Sequence, residues 1–513
     1  MMDRNRKKLL ARLGHGRPVS RREMLAQGLE KSVAMMVLPS MYELLMAPHV
    51  ARGEVNTVIA GMDCPINITS LACGIKVPYI QIDCCGGPQR LIEPKLEDGN
   101  YISAAGYAAT QGEPSMPTFD TTFGAPMKAG GRQKALDGIK LVVNASTGAA
   151  KALTNTIAGA IWATTVDDKP DNLLSPLNIM SEIICAEFIP TTLGTWNTFL
   201  GGYHYGPIFN TGNRSLYVQD IDAVKDQFGF GPAIDSLDKC QQEAMLRAIQ
   251  KLNSLELARL NSLKGSTDLC NTFNCSIEAR IRAMDTFVGA QLDPRNIPAL
   301  QNVFGISGTT PKNDWQAIKA LVTYCALKRY ATNSVIVISG CDYHYGHRAT
   351  SDVKDLEIGR TIGEILATAA ILNTPVMIGI CNDGSVSSWG SNWTSDFYPH
   401  AGQFLFYFDP AGRPEYVRPM TQYNYYQVGK FVQSGTSAVI DQSTFVGNQS
   451  LGALRASWTF VLNFLRANLT ETVSSPDFYL TRYRDYVSRT DVPDDPAGFI
   501  DSLCLFKQGP SSK

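Results

Sequence analysis

Charge, histidine and long apolar runs are all scarce in this 513-residue chain, and each shortage excludes something. Asp, Glu, Lys and Arg make up only 18% and nearly cancel, to a formal net charge of −1. The chain as a whole therefore has no field for holding nucleic acid or another polyanion. Outside an amino-terminal leader, no stretch reaches the roughly eighteen uninterrupted apolar residues of a membrane-crossing helix. Twelve cysteines are present without a single CxxC, which excludes a standard zinc ribbon or finger and a thioredoxin-type motif. Cys270 and Cys275 bracket a short loop that an oxidising compartment could close, while the cysteines also read as small buried thiols. There is no internal repeat and no low-complexity segment. What is plentiful is Gly, Asn, Ser, Thr and Tyr, which with the low charge leans toward an exported protein. The 44% hydrophobic content is enough for a large core in about two to four domains.

The first 25 residues carry eight Lys/Arg against two acids, and Ser20–Leu25 reads SRREML ahead of a moderately apolar run from Ser32 to Gly53. A basic region, a twin arginine and an apolar segment form a twin-arginine export leader. Met24 and Ala26 stand where Phe and Lys are usual, Pro39 and Glu43 interrupt the run, and no A-x-A cleavage site is visible. Ser20 and Glu23 also have the spacing of a capping box opening an ordinary helix.

Beyond the leader, short β-branched runs alternate with helical periodicity. Strands are expected at Val77–Asp83, Ile139–Ala145, Ser334–Ser339, Pro375–Cys381 and Phe404–Phe408. Helices are expected over the Ala-rich run AAKALTNTIAGAIWA, and at Asp314–Lys328, Val353–Leu372 and Trp458–Asn468. Polar amphipathic helices at Cys240–Leu263 and Ser276–Ala290 interrupt the alternation. The expected fold is α/β: a mostly parallel sheet flanked by helices, with a helical insertion. The divisions are a leader at 1–55, a first half at 56–204, the insertion at 205–312, a second half at 313–490 and a loose tail at 491–513.

Three of the six histidines fall between 344 and 400, in a run of imidazole and carboxylate groups beside the expected strands. Asp342, His344 and His347 follow one strand, Asp383 follows the next in an Asn-Asp-Gly turn, and Asp396 and His400 precede a third. Strand ends of open α/β sheets are where ligands and metals collect, and this donor mix suits Zn, Mn or Fe. In an extended segment Asp342 and His344 point to the same side and reach one ion together. The competing readings are a surface loop for the first group, a turn tripeptide for Asp383 and a loop brace for Asp396 and His400. His204, in GGYHYGP, reads as a surface-loop residue.

In their order, the leader, YIQIDCCGGP, GCDYH, ICNDGS and the Asp396/His400 pair resemble the bacterial twin-arginine-exported family called domain of unknown function 1501. That family belongs with the alkaline phosphatases and sulfatases. The resemblance covers roughly 20–150 and 310–470. It implies an alkaline phosphatase-like sheet, a periplasmic or surface location reached through the twin-arginine translocase, and divalent metal (Zn, Mn, Mg or Fe) at strand ends. It further implies Asp83 as a metal carboxylate, and a Ser/Thr nucleophile at a helix amino terminus, where Ser146 and Thr147 stand, following the expected strand at Ile139–Ala145 and opening the Ala-rich helix. An N-cap, for which Ser and Thr are the common choices, is the preferred reading of these two residues. The chain departs from the family where CNDGS replaces S-E-F-G-R, where the late Asp-His-Trp becomes Asp396-x-x-x-His400, and where Gln89 or Arg90 replaces an acid after the double glycine.

Two functions are consistent with these residues. One is a metal-dependent hydrolase acting on a small anionic phosphate or sulfate ester. The other is a non-catalytic exported binding or assembly protein on a degenerate hydrolase scaffold, which the departures favour. In the first, the insertion caps the strand-end pocket; in the second, it exposes an apolar stripe through Leu246, Ile249, Leu260 and Leu263 to a surface partner.

Overall fold

The segment YIQIDC alternates Ile80, Ile82 and Cys84 on one face with Tyr79, Gln81 and Asp83 on the other, and all six residues are buried. That is the pattern of a central strand in a sheet covered on both sides. In the computed structural model the strands are, in chain order, β1 (Tyr79–Cys84), β2 (Thr118–Asp120), β3 (Met127–Ala129), β4 (Thr156–Ala163), β5 (Thr191–Gly194), β6 (Arg214–Tyr217), β7 (Asn333–Val337) and β8 (Val376–Asn382). They continue with β9 (Val386–Trp389), β10 (Asn392–Ser395), β11 (Ala401–Phe408), β12 (Gln427–Val428), β13 (Phe431–Ser434) and β14 (Ser437–Ile440). The helices are α1 (Ala135–Ala145), α2 (Lys151–Thr154), α3 (Ile221–Phe228), α4 (Pro298–Phe304), α5 (Trp315–Leu327), α6 (Arg348–Ile371) and α7 (Gly452–Asn468). The structure describes residues 75–84, 91–92, 118–120, 122–125, 127–129, 135–163, 177, 180, 191–195, 214–228, 292–341, 348–382, 386–389, 392–395, 401–417, 427–434, 437–447, 452–468 and 502–507.

Eight strands form one sheet in the order β12-β4-β11-β8-β1-β7-β5-β6. The register is parallel at every neighbouring pair except the two that involve β11. Seven strands therefore share one direction and β11 alone is reversed, which makes the expected α/β class the observed one. Pairs β9–β10, β13–β14 and β2–β3 are antiparallel ribbons outside this sheet.

One face of the sheet packs on α7. Tyr79 of β1 meets Phe460 and Phe464 at ring-centroid distances of 6.4 and 6.0 Å. Asn468, the last residue of α7, fixes that helix to the start of β1: its Oδ1 accepts from the backbone N–H groups of Lys76 and Val77, both at 2.8 Å. On the opposite face lie α5, capped by the Asp314 carboxylate accepting from Gln316 N at 2.9 Å, and α6, whose Ile358, Ile362, Ile365 and Leu366 are fully buried. α1 rests on α6 through glycines. A Cβ added at Gly138 would come within 2.6 Å of Leu356 O, and one at Gly359 would run into the backbone of Ala135.

Three expectations are corrected. Ile139–Ala145 is the end of a helix, not a strand. Its β-branched residues suggested period 2, but the buried positions Leu136, Ile139 and Val143 follow helical spacing, and Leu141 between them is 53% exposed. The Ala-rich run taken for a helix contains only the single turn α2 before becoming β4. Its small residues are overridden by pairing with β11 over its whole length. The tail is not loose throughout: Leu503, Cys504, Leu505 and Phe506 are buried. Asn463 of α7 holds them, its Oδ1 accepting from Leu505 N at 2.9 Å and Phe506 N at 3.1 Å.

The chain divides into two compact units, 1–67 with 226–286 and 68–225 with 287–513. Apart from 226–228 the described residues belong to the second, which holds the sheet. β6 and α4 lie within the segment read as an insertion, and β6 is an edge strand of the sheet. The leader, Cys270, Cys275 and the helical runs at 240–263 and 276–290 lie outside the described residues. Among the described residues, no helix is long and apolar enough to cross a membrane. The described cysteines Cys84, Cys325, Cys341, Cys381 and Cys504 are all buried.

Candidate functional site

The three central parallel strands end side by side. Asp83 of β1 pairs with Val337 of β7 on one side and Cys381 of β8 on the other. Its side chain is nearly buried, with 7% exposure for the residue, and its carbonyl accepts from Ile338 N at 2.9 Å. Because β8 is parallel to β1 and antiparallel to β11, the first residues of β11 lie at this same carboxyl edge. The edge is thus formed by the ends of β1, β7 and β8 and the beginning of β11.

Beyond β7 the chain passes through Ser339 and Gly340 to Cys341, whose Sγ donates to Ile338 O at 3.4 Å. Gly340 has φ +75°, a left-handed conformation that glycine adopts without strain. Lys354 of α6 extends over this turn, its Nζ lying 3.7 Å from where a Cβ on Gly340 would be. The same Nζ donates to the Glu357 carboxylate at 2.9 Å. Lys354 and the exposed Ser339 are polar groups at this edge that motif reading passed over; no strand-end pattern signals a lysine six residues into a helix.

Asp342, His344, His347, Asp383, Asp396 and His400 lie outside the described residues, as does His204. Their attachment points are described. Asp342 follows Cys341 in the chain, Asp383 follows Asn382 at the end of β8, Asp396 follows Ser395 at the end of β10, and His400 precedes Ala401 at the start of β11. Among the described residues, no group of three or more His, Cys, Asp or Glu side chains could hold a metal ion. Asp83 contributes one hard oxygen donor suited to a divalent cation. Burial, reinforced by the Asp83 carboxylate, pushes the thiol of Cys381 beside it well above the usual range.

Ser146 and Thr147 are brought to a different place. They close α1 rather than open a helix after a strand, so the geometry expected of a nucleophile turn is not formed. Ser146 is buried, and its hydroxyl donates back to Val142 O at 2.8 Å in the last turn of α1. Nor is it an N-cap: Ala150 precedes α2 and has no side-chain capping bond. Five residues on, Lys151 Nζ donates to Asn373 Oδ1 at 2.6 Å, and Asn373 lies just before β8 begins. This segment therefore sits at the amino edge of the sheet. The seven residues of β8 separate it from the carboxyl edge, about 20 Å along the strand.

A second polar group lies behind Asp83, on the face under α7. Tyr79, Gln81 and Asp83 alternate along β1 and so share that face; Gly379 and Cys381 share it by register. Gln403 joins them, two residues before Leu405, the partner of Gly379. Tyr79 and Gln81 have no exposed surface and Gln403 only 2%. Burial, with Cys381 and Asp83 adding, raises the Tyr79 phenol well above its ordinary range, so it remains a neutral hydroxyl. The signal in the sequence was the period-2 alternation of YIQID, which places a glutamine where an aliphatic residue is usual.

Compared with family models, curated proteins and solved structures, the chain matches none.

Proposed function

We propose that this chain is an exported hydrolase of phosphate or sulfate esters that uses divalent metal at the carboxyl edge of its sheet. The observation that carries the reading is topological. Segments bearing candidate ligands from position 83 to position 400 enter or leave the sheet at one edge, because β8, β1 and β7 are parallel neighbours and β11 is reversed. A reversed β11 puts its first residue, Ala401, which follows His400 in the chain, at the edge that Asp83 occupies. In open α/β sheets that edge is the usual ligand site.

Asp83, Asp342, His344, Asp383, Asp396 and His400 are the residues that would hold the metal (Zn, Mn, Mg or Fe). Bound there, it supplies charge neutralisation for a phosphoryl or sulfuryl oxygen and activation of water. Lys354 adds a cation at the same edge, a counterpart for an anionic substrate where the family's arginine is missing. With Ser146 and Thr147 at the other edge, the attacking group is water rather than a side-chain hydroxyl. The test pairs metal analysis of the full chain with hydrolysis of p-nitrophenyl phosphate and p-nitrophenyl sulfate. Bound divalent metal and turnover of one ester, both lost in Asp83→Ala, are expected; a chain that neither retains metal nor turns over either ester after metal is supplied refutes the proposal.

The position of Ser146 and Thr147 also favours a second reading, a non-catalytic exported protein whose surface binds a partner. It predicts no turnover of either ester and an association that is abolished by deleting residues 240–292. Association that survives the deletion counts against it.

A further inference from the structure

We propose that Tyr79, Gln81 and Gln403 form a site for buried water between the sheet and α7. Four polar atoms of these three side chains, Tyr79 Oη, Gln81 Nε2, Gln81 Oε1 and Gln403 Oε1, are fully shielded and have no hydrogen-bond partner among the described residues. Buried polar atoms in folded proteins are nearly always paired with protein or ordered water, since each unmade bond costs free energy. The three residues share one face of adjacent strands: Gln81 is two residues from Tyr79 on β1, and Gly379, its partner on β8, pairs in turn with Leu405, two residues from Gln403.

Gly379 lets the phenol reach this row: the Tyr79 ring extends over it, so that a Cβ there would lie 2.8 Å from Tyr79 Cζ and still closer to the hydroxyl, which brings that hydroxyl beside the strand pair of Gln81. The donor set identifies the occupant. A cation would be held by acceptors alone and an anion by donors alone. Here the Gln81 NH2 donates, the two amide oxygens accept and the phenol does both, which is the complement of water. A buried water ordinarily makes about three such bonds, so one or two molecules satisfy the set.

The site is independent of any metal at the carboxyl edge. The test is a crystal structure of the full chain at a resolution of about 2 Å or better, with the thermal midpoint of the near-isosteric variant Gln81→Met. The site requires an ordered water within about 3 Å of both Gln81 and the Tyr79 hydroxyl, and a midpoint lowered by roughly 2–5 °C in the variant. A map with no density between these side chains, or with a metal or organic molecule there, overturns the proposal. So does a Gln81→Met protein at least as stable as the parent, because replacing an unpaired amide by a thioether would then relieve a penalty. If the variant does not fold, the map of the parent protein decides alone.

Discussion

Replacing Gly359 by alanine tests the packing that fixes α6, the helix joining β7 to β8. In an exposed helix interior the change favours folding by about 1 kcal/mol, because alanine loses less backbone entropy. Here the new Cβ would lie 2.7 Å from both the carbonyl carbon and the Cα of Ala135, and nearer still to its carbonyl oxygen. Carbon contacts settle at about 3.5 Å or more, so the helices must part by at least about 0.8 Å, and by more to clear the oxygen. The atoms that must yield are backbone, which cannot rotate away as a side-chain terminus does. α1 also lies close at Gly363, where a Cβ would meet Ile139 O at 2.9 Å, so a local shift spreads along the contact. Overpacking of this kind costs about 1–3 kcal/mol, and rigid contacts place it at the upper end. After the helix-propensity gain, Gly359→Ala should destabilise by about 2 kcal/mol. Urea titration of parent and variant, followed by circular dichroism, measures this directly. Equal or greater stability in the variant would refute the close approach of α1 and α6.

The buried pair Lys319–Glu364, 2.5 Å apart and at most 5% exposed, predicts a strongly non-additive cycle: either Lys319→Met or Glu364→Leu alone should cost about 3–5 kcal/mol and the double variant far less, and additive losses would refute this. Burial raises the Glu364 carboxyl above its ordinary range against the opposing pull of Lys319, so its contribution is complete below the unfolded carboxylate pKa and is lost as pH rises through the raised folded value. Stability measured against pH should therefore fall less steeply over that window in Glu364→Gln than in the parent. Asn463→Ala removes the acceptor for Leu505 N and Phe506 N, so hydrogen exchange should accelerate at residues 503–506, and unchanged exchange there would count against the docked tail. Export predicts that changing Arg21 and Arg22 together to lysine retains the full chain in the cytoplasm, as read by fractionation; export of the variant would remove the leader from the account.

The central strands were legible because they satisfy one rule at a time. Val77–Asp83, Ser334–Ser339 and Pro375–Cys381 are short, β-branched and bounded by turns, and β1, β7 and β8 occur there. α5 and the later turns of α6 announced themselves by apolar spacing. Reading failed where local composition and tertiary context disagree. Ile139–Ala145 is rich in β-branched residues yet helical, because glycines at 138, 359 and 363 let it lie against α6. TIAGAIWA is rich in alanine yet extended, because β11 pairs with all of it. Those two errors together placed Ser146 and Thr147 at a strand-to-helix turn, so the nucleophile failed for reasons of fold rather than of chemistry. Asp83 at a strand end was readable from its position alone. Gln81 carried a signal in the alternation of YIQID, whereas nothing local to Gln403 marks it as part of the same polar group.

The proposed metal site at the carboxyl edge is tested most directly by an anomalous-scattering map from crystals of the full chain grown with zinc. The predicted result is a peak at about 2.0–2.2 Å from a carboxylate oxygen of Asp83, shared with ligands from the segments after β7 and β8 or before β11, and absent in Asp83→Ala. A map with no anomalous peak at the ends of these strands, from protein saturated with zinc, would contradict it.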